Sequence, residues 1–179
     1  MNYSNPQKIQ QVQNWLQNMV IDLNFCPFAR RVVVQKSVAY HVSNAEELFK
    51  DLIASFQELD TQPNIATTLI LLPDLVDFES FLDLAYLAED LLIKMNYEGV
   101  YQIATFHPDY CFEGSLPSDA SNYTNKAPYP ILHLLREDSV EQALEHYASP
   151  EEIPAKNIAL TTKMGAEKLA AILQQCYKI

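Results

Sequence analysis

The hydrophobic positions of the chain change period several times, and each change marks an element. Ile9, Val12, Leu16, Met19, Val20 and Leu23 recur at helical spacing with Trp15 beside them. They predict an amphipathic helix that stops near Asn24, a residue that tolerates the left-handed conformation of a helix end. Within 31–40, the β-branched run Val32-Val33-Val34 reads as a short buried strand. Ser43-Asn44-Ala45-Glu46 has the form of a capping box and opens a helix with the stripe Ala45, Leu48, Phe49, Leu52, Ile53 and Phe56. A strand from Thr67 to Leu72 is closed by Pro73. The helix after it, capped by Asp77 and running to about Asn96, is apolar on more than one stripe and should be largely buried.

Two more strands are expected at Val100–Phe106 and Pro130–Arg136. Asp138-Ser139-Val140-Glu141 then caps a helix that turns Val140, Ala143, Leu144 and Tyr147 inward. The last helical stretch, about Pro154 to Tyr177, is interrupted at Gly165. Strands alternating with helices in this way predict an α/β or α+β sandwich of about four strands with helices packed on the sheet. Nothing along residues 1–179 has the composition of an interdomain linker, so a single globular domain is expected. The one long irregular stretch is 107–127, and a loop of that length in a compact domain is expected to be functional.

Composition narrows the choice of partners. A net charge of −11 disfavours nucleic acid and anionic membrane surfaces, both of which select basic faces. No apolar run is long enough to span a bilayer, and the first residues lack the basic and apolar regions of a signal peptide. Three cysteines give no disulfide framework, so the expected home is the reducing cytoplasm. With only three glycines, neither a P-loop nor a Rossmann fingerprint is present, which argues against a nucleotide cofactor held in the usual way.

The chemistry concentrates in three segments: Asn24-Phe25-Cys26-Pro27-Phe28-Ala29, then Phe106-His107-Pro108-Asp109-Tyr110, then Asn125-Lys126-Ala127-Pro128-Tyr129-Pro130 running into His133-Leu134-Leu135-Arg136-Glu137. Cys26 is the candidate nucleophile or redox thiol. With Pro27 as the first residue of a helical turn, Cys26 would be its N-cap, where partial positive charge favours a thiolate; Arg30 and Arg31 would add to it. The competing reading is a small apolar residue packed between Phe25 and Phe28.

His107 ends a strand and begins a loop, a place where acid/base groups gather. Its bland alternative is a histidine that caps the strand end by bonding to backbone. His133 lies in an apolar strand, where a histidine is more often a satisfied core residue; alternation places it on the face opposite Arg136. Asn125, Lys126, Tyr129 and Arg136 complete the set of candidate ligand contacts.

In this order the three motifs resemble the bacterial family known as domain of unknown function 1415, across nearly the whole chain. Lys126-Ala127 stands where that family has Arg-Ser, replacing a planar guanidinium fork by a point charge. The resemblance implies no activity. From the residues themselves three functions compete. The first is an enzyme acting on a small anionic metabolite, with Cys26, His107 and His133 at its centre and the scarce arginines forming a local positive pocket. The second is a metal protein drawing ligands from Cys26, His107, Asp109, His133 and Glu137, none of them at zinc-motif spacing. The third is a non-catalytic module that binds peptide or protein through the Pro/Tyr loop.

Overall fold

The computed structural model describes residues 3–145 and 147–179. Helix α1, Asn5–Trp15, is opened by a capping box in which Ser4 and Gln7 satisfy each other's ends of the first turn. It continues into a π-helical segment, Leu16–Ile21, where the Asp22 N–H reaches back to the Gln17 carbonyl. Asn24 stops it with φ +56°, the left-handed ending expected there.

The expected strand through Val32–Val34 is a helix instead: α2, Ala29–Val34. Its end explains why. Lys36 takes φ +55°, the Lys36 N–H bonds the Val33 carbonyl and the Ser37 N–H bonds Val32, the paired bonds of a left-handed helix stop. Val34 is 74% exposed, so the valine run has no buried sheet position to fill. The first strand starts only at Val38.

The remaining elements follow the expected order. They are β1 (Val38–Val42), α3 (Leu48–Thr61), β2 (Thr67–Leu71), α4 (Phe78–Lys94), β3 (Tyr101–Phe106), β4 (Ile131–Arg136), α5 (Glu137–Glu145), α6 (Ile153–Met164) and α7 (Ala166–Cys176). Asp77 caps α4 through the Ser80 N–H at 2.8 Å. The turn before α3 is held by Asn44, which accepts from the N–H groups of Glu46 and Glu47, while the Ser43 hydroxyl turns to Asp51. α3 itself, N-capped by Glu47, has no side-chain cap, so the expected capping box is not formed.

The sheet has the order β1-β2-β4-β3. β1 and β2 are parallel, and β4 lies between β2 and β3, antiparallel to both. β1, β2 and β3 therefore all point the same way. Alternation along β2 feeds two cores. Leu69 and Leu71 join Val12, Trp15, Met19, Ile131, Leu169 and Leu173 under the helices of the chain ends. Ile70 and Leu72 join Leu52, Phe56, Phe81, Leu132 and Leu134 under α3 and α4. This is a mixed α/β fold with helices on both faces of an open sheet. Among the described residues no helix is long and apolar enough to cross a membrane.

Candidate functional site

The carboxyl ends of β1, β2 and β3 meet at one edge of the sheet. In open α/β folds this edge is where ligands are received, because the connections leaving it diverge. A cleft of about 490 Å³ lies there. Its floor and walls come from Pro73, Asp74 and Val76 after β2, Pro108 after β3, and Pro128, Tyr129 and Pro130 leading into β4; Tyr3, Lys8 and Tyr177 close it from the two chain ends. A second hollow of similar volume lies beside the β1 edge, lined by Gln13, Lys36 and Tyr40 among others, and holds none of the sequence-predicted site residues.

Two tyrosines of the cleft are fixed by their hydroxyls. The Tyr129 hydroxyl donates to Gln11 Oε1. Gln11 is fully buried and in turn donates to the Tyr177 carbonyl at 3.0 Å. The Tyr177 hydroxyl donates to the Pro128 carbonyl at 2.7 Å. The two rings stand edge to face, centroids 6.2 Å apart. Burial pushes both phenols up, Tyr177 to about 12. They are neutral at physiological pH and present ring surface rather than acid groups.

His107 lies behind this edge, fully buried, with its ring 5.0 Å from that of Phe78 and 5.3 Å from that of Phe81. Its Nδ1 accepts the Asp109 N–H at 3.0 Å, which places the proton of the neutral ring on Nε2. Nε2 is buried and has no hydrogen-bond partner. Desolvation lowers the His107 pKa, against the pull of the Leu75 backbone, which closes no bond of normal geometry, and of Asp109 and Asp77. The residue thus fits the backbone-capping alternative, holding the first turn of the loop in its neutral form.

The loop 107–127 is closed at its neck. The His107 N–H bonds the Asn125 carbonyl at 3.2 Å, the Ala127 N–H bonds the His107 carbonyl at 3.4 Å, and Asn125 Nδ2 donates to the Thr105 carbonyl at 3.2 Å. Because the Pro130 carbonyl bonds Leu72 of β2's side, even-numbered residues of β4 pair toward β2 and odd-numbered ones toward β3. Thr105 and His107 consequently turn their backbone groups outward, and residues 125–127 cover the free edge of β3. Asn125, expected to contact a ligand, is occupied in blunting an edge strand. Inside the loop the organiser is Asn122, fully buried, accepting from the Phe112 N–H and the Ser115 hydroxyl and donating to the Leu116 carbonyl. The sequence does not single out Asn122, because no local signal distinguishes an Asn that bonds across a loop from one that bonds within a turn.

The other predicted residues scatter. Cys26 is no N-cap: α2 begins three residues later and is capped by Phe28, and the half-buried thiol packs on the core beneath the chain-end helices. His107 packs against α4 on the other face, so the expected pairing of Cys26 with His107 is not formed. His133 faces the first core, with Nε2 2.6 Å from Thr67 Oγ1, which itself donates to the Leu134 carbonyl. The threonine proton being spent, His133 Nε2 is the donor, and burial pushes the imidazole down to about 4. It is a satisfied, neutral strand residue.

Arg136 sits at the opposite end of β4 from the cleft, five residues or roughly 17 Å along the strand. Its guanidinium donates to the Leu59, Gln62 and Ile65 carbonyls, closing the end of α3, and lies 5.8 Å over the Tyr101 ring. Lys126 rests over the Tyr123 ring at 5.1 Å, and exposed Arg30 makes a 3.9 Å ion pair with Asp22. The expected anion pocket between Arg136 and Lys126 does not assemble. Among the described residues no three His, Cys, Asp or Glu side chains come close enough to hold a metal ion.

Fold and cleft together define a mixed α/β protein with a Pro/Tyr-lined cavity at the carboxyl edge of its sheet. The family model described as a protein of unknown function (DUF1415) matches residues 7–171, and the chain belongs to that family. Comparison with curated proteins and with solved structures returns no match.

Proposed function

We propose that this protein acts by binding a small organic molecule in the carboxyl-edge cleft. The observation that carries the reading is the convergence on one cavity of Pro108 from the second motif and Pro128, Tyr129 and Pro130 from the third, at the edge where α/β folds receive ligands. The volume of about 490 Å³ suits a metabolite rather than a macromolecule. Cys26, His107 and His133 are not among the lining residues, so the reading is binding by the cleft rather than catalysis by that cysteine/histidine set.

The test is a nitrogen-15 NMR screen of the full chain against a library of small acids, amines and zwitterions. The expected outcome is at least one compound whose shifts cluster on Val76, Tyr129 and Tyr177. The variant Val76→Trp, which adds bulk at an exposed lining position, should remove them. Shifts that gather elsewhere, or that persist unchanged in the plugged variant, would overturn the reading. A peptide-binding role draws on a different observation. The loop tip exposes Leu116 by 66% and Phe112 by 38%, and the ring contacts Phe78–Tyr110–Phe112 lead out to it. In the same screen, extended proline-containing peptides would then shift residues 110–117 and leave the cleft unperturbed.

A further inference from the structure

We propose that the ligand of this cleft is a small zwitterion, its ammonium group held by the Tyr129 and Tyr177 rings with Asp74 and its carboxylate turned to Lys8. The proposal rests on the cleft being the binding site and names what the cleft selects.

The walls decide against a simple anion. Anion sites are built from N–H donors, and Pro73, Pro108, Pro128 and Pro130 have none to give. The Tyr129 and Tyr177 hydroxyls, which could have donated to an anion, are already spent on Gln11 and the Pro128 carbonyl. What remains of these side chains is π surface, held rigid by those same bonds. A ring face attracts a quaternary ammonium, which has no N–H to satisfy and loses little hydration on entering an apolar site. Asp74 adds charge of the right sign. Its Oδ2 accepts the Ala45 N–H at 3.3 Å, and its Oδ1 makes no hydrogen bond among the described residues.

Lys8 supplies the other half. It lines the cleft from the first turns of α1 and makes no ion pair among the described residues. A ligand carrying only a cation would leave that ammonium facing its own, whereas a carboxylate on the same molecule satisfies it. One Asp and one Lys on an otherwise apolar, aromatic lining make a neutral cavity with a charge at each of two positions, which is the complement of a zwitterion.

Three probes of similar size separate the alternatives when titrated into the full chain by NMR: glycine betaine, its uncharged-head isostere 3,3-dimethylbutyrate, and tetramethylammonium. Betaine is expected to bind about tenfold more tightly than 3,3-dimethylbutyrate, the difference one desolvated cation–π contact supplies. Asp74→Asn should weaken betaine and tetramethylammonium together, and Lys8→Met should weaken betaine alone. Tyr177→Leu should reduce both cationic probes by about tenfold; Asp74→Asn, at the rim, keeps the test valid should that core-adjacent variant fold poorly. If 3,3-dimethylbutyrate binds as well as betaine, the zwitterion proposal falls and the cleft as a binding site stands. If Lys8→Met leaves betaine untouched, the ligand is a plain cation and the proposal falls. If none of the three shifts a cleft residue while other small molecules do, the ligand class is wrong; if no small molecule does, the cleft reading fails with it.

Discussion

The two ends of β4 put similar residues to opposite uses. At the Arg136 end, a guanidinium, a carboxylate and two phenols close on one another. Arg136 spends its donors on three carbonyls at the end of α3, and Asp60 accepts from the hydroxyls of both Tyr97 and Tyr101. Those bonds hold Asp60 below the usual carboxylate range, Tyr97 contributing most. At the Pro130 end the hydroxyls of Tyr129 and Tyr177 are also spent, on Gln11 and the Pro128 carbonyl, while both residues line a cavity. Among the described residues, Asp74 Oδ1 beside them makes no hydrogen bond and Lys8 no ion pair. The lesson is physical. A charge that has satisfied itself within the fold is scaffold, whatever its rarity in the sequence. A site is recognised by polar capacity left over.

The sharpest way to break this contrast is to remove Arg136. Arg136→Met leaves the Leu59, Gln62 and Ile65 carbonyls without their charged donor and deletes the contact over Tyr101. Each hydrogen bond to a charged group contributes roughly 1.5–3 kcal/mol, and water can replace part of it at a half-buried position, so a loss of roughly 2–4 kcal/mol is expected. Urea unfolding measures it. Ligand affinity at the cleft, measured on the folded fraction, should be unchanged. A variant that keeps wild-type stability but loses binding would move the site to the Arg136 end.

Between the two ends, His133 makes the fold sensitive to mild acid. Its folded-state pKa of about 4 lies below the ordinary value of 6.5, so the unfolded chain takes the proton first. The stability it contributes is fully present above pH 6.5 and is lost as pH falls from 6.5 to about 4. A shift of that size corresponds to at most roughly 3.5 kcal/mol, and some solvent access of the side chain reduces it. The lowered pKa of His107 adds in the same direction. His133→Gln should flatten the stability profile in this window relative to wild type, while the steeper fall below pH 4, where carboxylates protonate, remains. An unchanged profile would mean that His133 ionises freely in the folded state.

Much of the architecture was legible because it is written in periodicity. The stripe over 48–56 and the strands at 67–71, 101–106 and 131–136 are each a local pattern that one face of a sheet or helix must bury. The helix at 78–94 was expected to be largely buried, but it buries only the stripe Phe81, Ala85, Ala88 and Leu92 and leaves Leu87 and Ile93 exposed, and the helix at 137–145 has no fully buried residue. The error at Val32–Val34 has an equally local cause. Three β-branched residues favour a strand, and the helix stop that overrides them uses Lys36 in the left-handed conformation, where glycine or asparagine would have announced it. The site was harder. Its segments were marked correctly as unusual, since Pro108 and Pro128-Tyr129-Pro130 do line the cleft. Which side chains face it depends on pairings that no spacing encodes: that Arg136 meets the end of α3, that Asn125 turns to Thr105, that Tyr177 comes from the far end of the chain. Lys8 and Asp74 carried no signal at all, being ordinary charged residues until the fold sets them beside three tyrosines.

The loop above the carboxyl end offers a smaller effect. Asn122→Ala deletes an amide that accepts from Phe112 and Ser115 and donates to Leu116, all inside 107–127. The cost should be about 1–3 kcal/mol, as for other buried polar groups left without partners. It should be local. Amide exchange at Phe112 and Lys126 should accelerate, while residues of β2 keep their protection. Acceleration throughout the sheet would show that the loop is part of the global folding unit rather than a structure fastened onto it.

The finest test removes one hydroxyl from each end. Tyr101→Phe and Tyr177→Phe each delete a hydrogen bond and should cost about 0.5–1.5 kcal/mol, too similar to distinguish the ends by stability. Titration tells them apart. In Tyr101→Phe, Asp60 loses one of the two donors that hold its carboxyl down, and carbon-13 NMR should find its pKa moved up toward the ordinary range. In Tyr177→Phe the bond lost is to a backbone carbonyl, and no carboxylate should respond. The ring of Tyr177 survives the substitution, so the affinity of the cleft for an ammonium ligand should change by less than about twofold, in contrast to the loss expected of Tyr177→Leu. Should Tyr177→Phe abolish binding, the hydroxyl rather than the ring meets the ligand. The cleft would then resemble the Arg136 end after all, a network of polar bonds, and the distinction between the two ends would be lost.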